Sequence, residues 1–329
     1  MIRGFTVLVG LMWVAVAVAN EPELVSPTVS DCMAQALVSA DGATTVDALK
    51  AACANEDAEP LLAQRYEEQL NESPTESILI PHWRNYLLPF TYNSNPNQDP
   101  YQIAGGDAEP LDSTEIKFQL SIKTPLWRGV FADDDQLYFG MTLTSWWQAY
   151  NSDISAPFRE TNYSPEVFWV TPVRPDYQFL GVDYFAAGFI HQSNGRSNLF
   201  SRSWNRVYVQ MFWEHNRWAF MLKPWWRIEE EAKDDPMDAD GDDNPDITKY
   251  MGYFEAGAVY RGGKAEYGIM WRNNLREDNK GAVQLDWSYP LHEQLRVYVQ
   301  YFNGYGESLI DYDASVNRIG IGLLLNTLI

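Results

Sequence analysis

The 329-residue chain is poor in cysteine, with only Cys32 and Cys53, and poor in histidine, with His82, His191, His215 and His292 scattered along it. Two cysteines cannot frame a small disulfide scaffold, and widely spaced histidines give a zinc site no support. Basic residues are also scarce: 24 Lys and Arg stand against 45 Asp and Glu, a net charge of −21. That balance excludes nucleic acid as a partner, because a phosphate backbone is bound through a basic footprint. Beyond residue 19 no segment approaches the run of about 18 apolar residues that a membrane-spanning helix needs.

What the chain does have begins at its N-terminus. Arg3 precedes the apolar run "FTVLVGLMWVAVAVA", and Ala17-Val18-Ala19 forms an A-x-A cleavage site before Asn20, so residues 1–19 read as a signal peptide for export. Residues 20–80 are rich in Ala, Leu and Glu, as in "TTVDALKAACANEDAEPLLAQRYEEQLNE", and are expected to form a small helical periplasmic extension. Cys32 and Cys53 are placed to staple a helical hairpin there, although spacing leaves open whether they are joined. Aromatics are abundant, 14% of the chain with 13 Trp, a mixture that many short strands with one lipid face and one wet face would produce. A soluble β-sandwich fits the same composition.

From Glu115 the pattern takes a period of two, with Ile116, Phe118, Leu120 and Ile122 apolar and Lys117, Gln119, Ser121 and Lys123 polar. Further strands are expected at 84–93, 136–148, 165–174, 178–191, 203–214, 217–228, 248–260, 264–274, 281–289, 295–304 and 316–327. Together they make twelve, an even number, as a closed bacterial barrel requires. Connections alternate in length: 94–114, 149–164, 192–202, 229–247 and 305–315 are long, with 275–280 a short exception, whereas "RPDY" at 174–177, "EHNR" at 214–217, "RGG" at 261–263 and "PLHEQ" at 290–294 are tight. The expected fold is therefore all-β, a twelve-stranded antiparallel transmembrane β-barrel over 84–329. In its last strand Ile319, Ile321, Leu323, Leu325 and Ile329 share the parity of a lipid face, with Gly320 and Gly322 turned inward.

Parity also places a polar cluster. Phe185, Ala187, Phe189, His191 and Ser193 point one way along their strand, and Asn205, Val207, Val209, Met211 and Trp213 share a face on the next. The hairpin connection 192–202 returns Asn205 beside His191, so three polar groups meet on the lipid side, where such groups are costly without a role. Ser193 is a candidate nucleophile, His191 its base, and Asn205 the group that fixes the imidazole. Gly195 offers a backbone N–H to an oxyanion. The same spacing also fits an ordinary rim residue and its neighbour.

The stretches "HQSNGRSNLFSRSWNR", "NSDISAPFRETNY", "DDNPDITKYMGY" and "GYGESLIDY" resemble the bacterial outer-membrane phospholipase A family, and the resemblance covers residues 84–329. It implies a barrel of the cell outer membrane whose dimerisation and Ca2+ binding switch on hydrolysis of phospholipid acyl esters near the outer leaflet. Both the sn-1 and sn-2 positions, and lysophospholipids, are implied substrates. By the same resemblance Ser193, His191 and Asn205 form a catalytic triad working through an acyl-enzyme. Calcium is implied at the backbone carbonyl of Arg196, the hydroxyl of Ser201 and Ser155 of the partner subunit, with the Gly195 amide and calcium-bound water at the oxyanion. Where the family places an interface glutamine this chain has Leu143, so one polar dimer contact is expected to be missing.

Other features have bland readings. The acidic stretch "EEEAKDDPMDADGDDNPD" echoes an EF-hand at Asp238, Asp240 and Gly241, but Pro236 and Ile247 occupy positions that need Asp and Glu, leaving a solvated, cation-screened loop. Trp146, Trp147, Trp213, Trp218, Trp225 and Trp226 are expected in an interfacial girdle. Two further readings stay open at this point, a passive channel and a loop-based adhesin.

Overall fold

The computed structural model describes residues 79–103, 110–173, 181–235, 237–238, 240–292 and 295–326, together with residues 37, 38, 45, 46 and 62. The chain divides into two compact units, Met1–Glu59 and Pro60–Ile329. Of the expected helical extension, Leu37, Val38, Val46 and Leu62 are helical, while Ile80 is already strand. The expected leader, Cys32 and Cys53 lie outside the described residues.

The second unit is built from β1 (Ile80–Pro81), β2 (Tyr86–Asn93), β3 (Thr114–Arg128), β4 (Gln136–Trp147), β5 (Phe158–Pro172), β6 (Tyr184–Ser193), β7 (Ser203–His215), β8 (Trp218–Ile228), β9 (Phe254–Gly262), β10 (Ala265–Asn273), β11 (Gly281–His292), β12 (Leu295–Tyr305) and β13 (Ser315–Leu324). Each of β2–β13 pairs antiparallel with its chain neighbours, and β13 pairs back onto β2, so twelve strands close into a ring. The two residues of β1 pair with Ile122 and Lys123, beyond the stretch of β3 that β2 covers. Closure leaves the barrel strands no free edge, the condition for a sheet in lipid.

Alternation is inverted relative to a soluble sheet. On β3 the polar residues Glu115, Lys117 and Ser121 are buried, whereas Leu120 is 53% exposed. On β13 Ile319 and Ile321 are exposed on the wall and Arg318 is buried. The apolar face meets lipid and the polar face fills the lumen. There Arg159 pairs with Glu115 at 3.0 Å and with Asp311 at 2.7 Å, Lys117 pairs with Glu307 at 2.9 Å, and Arg318 pairs with Glu115 at 2.6 Å. Farther along the barrel, Glu166 accepts from Tyr208 and Arg84 pairs with Asp286. Ser308, Leu309, Ile310 and Asp311 of the connection 306–314 are all buried, with the Leu309 and Ile310 amides donating to Asn162 and Glu160.

Several boundaries differ from expectation for physical reasons. The strand expected from residue 165 begins at Phe158, because inward Arg159, Glu160, Asn162 and Ser164 give its first half no apolar run. The strand expected over 248–260 begins at Phe254, and Ile247–Met251 instead form a short helix, α2, following α1 (Asp99–Ile103) in the chain. Ile247 and Met251 are buried on one side of that helical turn. β6 begins at Tyr184 rather than 178, and the "RPDY" turn lies outside the described residues. Trp146 and Trp225 do not belong to a girdle. Neighbouring residues on a strand face opposite ways, so each Trp-Trp pair sends one ring inward, leaving Trp226 58% exposed and Trp225 3%.

Candidate active site on the outer wall

β6 and β7 bring the polar cluster together through register. His191 pairs directly with Asn205, and Ser193 with Ser203. Ile190, Trp204 and Arg206, on the opposite parity, are buried inside, whereas Phe189 and Val207 are both 41% exposed. His191, Ser193 and Asn205 therefore lie on the outer wall. His191 Nδ1 and Asn205 Oδ1 are 2.9 Å apart. One pleat toward the membrane centre, Val167, Phe189, Val207 and Trp226 form a register row of exposed apolar side chains. Ser193 lies in another row, running from Leu120 through Leu143 and Tyr163. The polar cluster thus borders hydrocarbon, and Leu143 supplies apolar surface on the same wall.

The connection 194–202 is shaped by Asn194, which is buried. Its Oδ1 accepts from the Arg202 amide at 3.0 Å and the Arg196 amide at 3.3 Å, and its Nδ2 donates to the Phe200 carbonyl at 2.8 Å. Gly195 follows at φ +64, a left-handed conformation that glycine adopts without strain. The Arg196 guanidinium donates to the carbonyls of Phe158 and Arg159. Asn198–Phe200 form a 3-10 turn that leads into Ser201. Ser155 sits on a different loop, exposed and at φ +61, with its amide donating to Ser152.

Ser201 and Ser203 both donate their hydroxyls to Asp243 Oδ2, at 2.8 and 3.0 Å. A hydroxyl whose hydrogen is committed in this way keeps its lone pairs for a cation. No cluster of three or more His, Cys, Asp or Glu side chains suited to a metal occurs among the described residues. The oxygens gathered here are hydroxyl, carbonyl and the Asp243 carboxylate, a set that suits a hard cation such as Ca2+ rather than zinc.

Two residues of this neighbourhood escape the sequence reading, Glu230 and Asp243. Glu230 Oε1 accepts from Asn205 Nδ2 at 2.8 Å. Asp243 receives the two serines and pairs with Lys233 at 2.5 Å. Both belong to the acidic stretch expected to be only a solvated loop, which the structure ties to the wall. The register offered a signal for Glu230, since Asn205 pairs with Ile228 and the chain runs on from there.

The family model "Phospholipase A1" matches residues 62–325. Phospholipase A1 of Klebsiella pneumoniae is 41% identical over 261 residues, covering 79% of this chain and 86% of that protein. A solved Escherichia coli outer-membrane phospholipase A, an active-site variant with asparagine changed to alanine, superposes with a TM-score of 0.71 at 39% identity, covering 80% of this chain and 98% of that one. The Salmonella typhi outer-membrane phospholipase, a dimer with bound calcium, gives a TM-score of 0.71 at 38% identity, with 80% and 98% coverage. A family match across nearly the whole barrel, joined to a closed twelve-stranded wall, leads to one conclusion: the chain belongs to the phospholipase A1 family of outer-membrane enzymes.

Proposed function

We propose that this enzyme hydrolyses the acyl esters of phospholipids on its outer wall with Ser193 as nucleophile, His191 as general base and Asn205 as the group that orients the imidazole. The observation that carries the reading is the 2.9 Å contact between His191 Nδ1 and Asn205 Oδ1 at paired, lipid-facing positions. The active-site asparagine named for the Escherichia coli variant accords with it. With Nδ1–H donated to Asn205, Nε2 is left free to take a proton.

His191 Nε2 removes the Ser193 proton as Oγ bonds to the ester carbonyl carbon, and the Gly195 amide faces the developing oxyanion. The carbonyl re-forms, the bond to the glycerol oxygen breaks, and that oxygen leaves with the proton from His191 as a lysophospholipid. Water, deprotonated by the same Nε2, then attacks the acyl carbon, the bond to Ser193 Oγ breaks as Oγ takes that proton back from His191, and the fatty acid is released. Repetition on the product accounts for lysophospholipid as a second substrate, and both sn-1 and sn-2 esters are open to a site on the outer wall.

Calcium would be held by the Arg196 carbonyl, the Ser201 hydroxyl and Ser155 of the partner subunit. When bound it supplies positive charge beside the reacting carbonyl. Because each of these donors is neutral, one subunit holds the ion weakly, and dimerisation completes the set. The calcium-bound dimer of the Salmonella typhi enzyme supports this arrangement. The test is release of fatty acid in mixed micelles by wild type and Ser193→Ala, with calcium and with chelator. Turnover is expected only for wild type with calcium, and retained turnover in Ser193→Ala would remove the reading.

A further inference from the structure

Asn205 uses both ends of its amide. Oδ1 meets His191 Nδ1 at 2.9 Å, and Nδ2 lies 2.8 Å from Glu230 Oε1. Glu230 is half-buried and stands just past the end of β8, whose Ile228 pairs with Asn205. The chain around it is fastened. The Asp242 amide donates to the Glu231 carbonyl at 2.7 Å, Ala232 bridges Asp242, Arg227 pairs with Asp242 at 2.5 Å and Lys233 with Asp243 at 2.5 Å. The carboxylate therefore comes from an anchored segment.

The chemistry of the contact has a direction. An amide can present oxygen or nitrogen to the imidazole, and a neutral imidazole can carry its proton on either nitrogen. If the Asn205 amide turned over, its NH2 would face Nδ1, the ring proton would sit on Nε2, and Ser193 would have no base. A carboxylate only accepts hydrogen bonds, so turning the amide would set its oxygen against that of Glu230. An acceptor at that place selects one amide orientation, and that orientation selects the productive tautomer.

We propose that Glu230 is a positioning residue for the ester hydrolysis, fixing through Asn205 the form of His191 whose Nε2 receives the Ser193 proton. The proposal rests on the triad assignment above. It gives the site a charged anchor in place of the acidic third member that Asn205 replaces, one side chain farther from the base.

The experiment measures kcat and KM for the full chain in mixed micelles with saturating calcium. The variants are Glu230→Ala, Glu230→Gln, Asn205→Asp and the double variant Asn205→Asp/Glu230→Gln, with Ser193→Ala and Asn205→Ala as references and heat-modifiable gel migration as the check on folding. Glu230→Ala is expected to lower kcat about two- to tenfold, a smaller loss than that of Asn205→Ala because Glu230 acts only through that side chain, with KM within about twofold. Glu230→Gln recovers most of kcat, because its side-chain oxygen still accepts from Nδ2. Asn205→Asp alone is poorly active, since it sets two carboxylates against each other, and adding Glu230→Gln raises its kcat by about tenfold. A residue that merely supported the loop would not produce that reversal. Folded Glu230→Ala with wild-type kcat, or no gain on adding Glu230→Gln to Asn205→Asp, overturns the proposal. If Ser193→Ala and Asn205→Ala are impaired while Glu230→Ala is not, only the role of Glu230 falls; an active Ser193→Ala removes the triad itself.

Discussion

Asn205→Ala separates a neutral orienting group from a charged one. The substitution removes the 2.9 Å contact with His191 and leaves Ser193 and the strands in place. In the resting enzyme that contact is a neutral hydrogen bond worth about 1 kcal/mol, and when the imidazole takes the serine proton it becomes charge-assisted, worth about 1.5–3 kcal/mol. Only the difference between the two states lowers the barrier, roughly 0.5–2 kcal/mol. Freedom of the ring to adopt its other tautomer adds a few tenths. The sum predicts a loss of kcat of about three- to fiftyfold, at about 1.4 kcal/mol per factor of ten. Initial rates of fatty-acid release in mixed micelles with saturating calcium give kcat directly, with Ser193→Ala setting the floor. Two results would refute the reasoning: an Asn205→Ala enzyme as fast as wild type, or one as slow as Ser193→Ala.

Ser201→Ala removes a hydroxyl oxygen from the proposed cation site, and the calcium concentration for half-maximal activity should rise by about tenfold with kcat restored at saturation; an unchanged calcium titration would exclude Ser201 as a ligand. At Gly322, on the seam between β13 and β2, an added Cβ would fall 2.0 Å from the Leu87 carbonyl oxygen. Gly322→Ala should therefore destabilise the barrel by about 1–3 kcal/mol in urea titrations of lipid-reconstituted protein, the usual range for overpacking. Asp135, in the turn between β3 and β4, is buried, which alone would raise its pKa, but the Trp169 side chain and the amides of Phe131, Val130 and Ala132 hold its carboxyl below the usual range. A depressed native pKa means that its stabilisation is present above the ordinary carboxylate range near pH ~4 and is lost as pH falls through the native value. Asp135→Asn should flatten the acid limb of the urea midpoint against pH, and identical limbs would count against the turn.

The outer wall was legible in the sequence because lipid leaves little room for exceptions. Ile319, Ile321, Phe189 and Val207 are exposed on the parity expected, and His191 and Asn205 follow from the same count. The inner face was harder to read. Arg159, Glu160 and Asn162 begin β5 inside the lumen, where a polar residue next to an inward ion pair looks in sequence like a loop. Lys249-Tyr250-Met251 alternates like a strand, yet α2 turns there to bury Ile247 and Met251. Glu230 and Asp243 were hidden by their neighbours, since an acidic run has no period to separate a side chain that bonds Asn205 from one that meets only water.

The ion pairs inside the barrel act as internal struts. Glu115, Lys117, Arg159 and Arg318 are each no more than 5% exposed, and the 306–314 connection is folded in beside them. Charges paired inside the ring in this way tie β3, β5 and β13 to the 306–314 connection, so the interior of the barrel holds steady the wall whose outer side carries the candidate site.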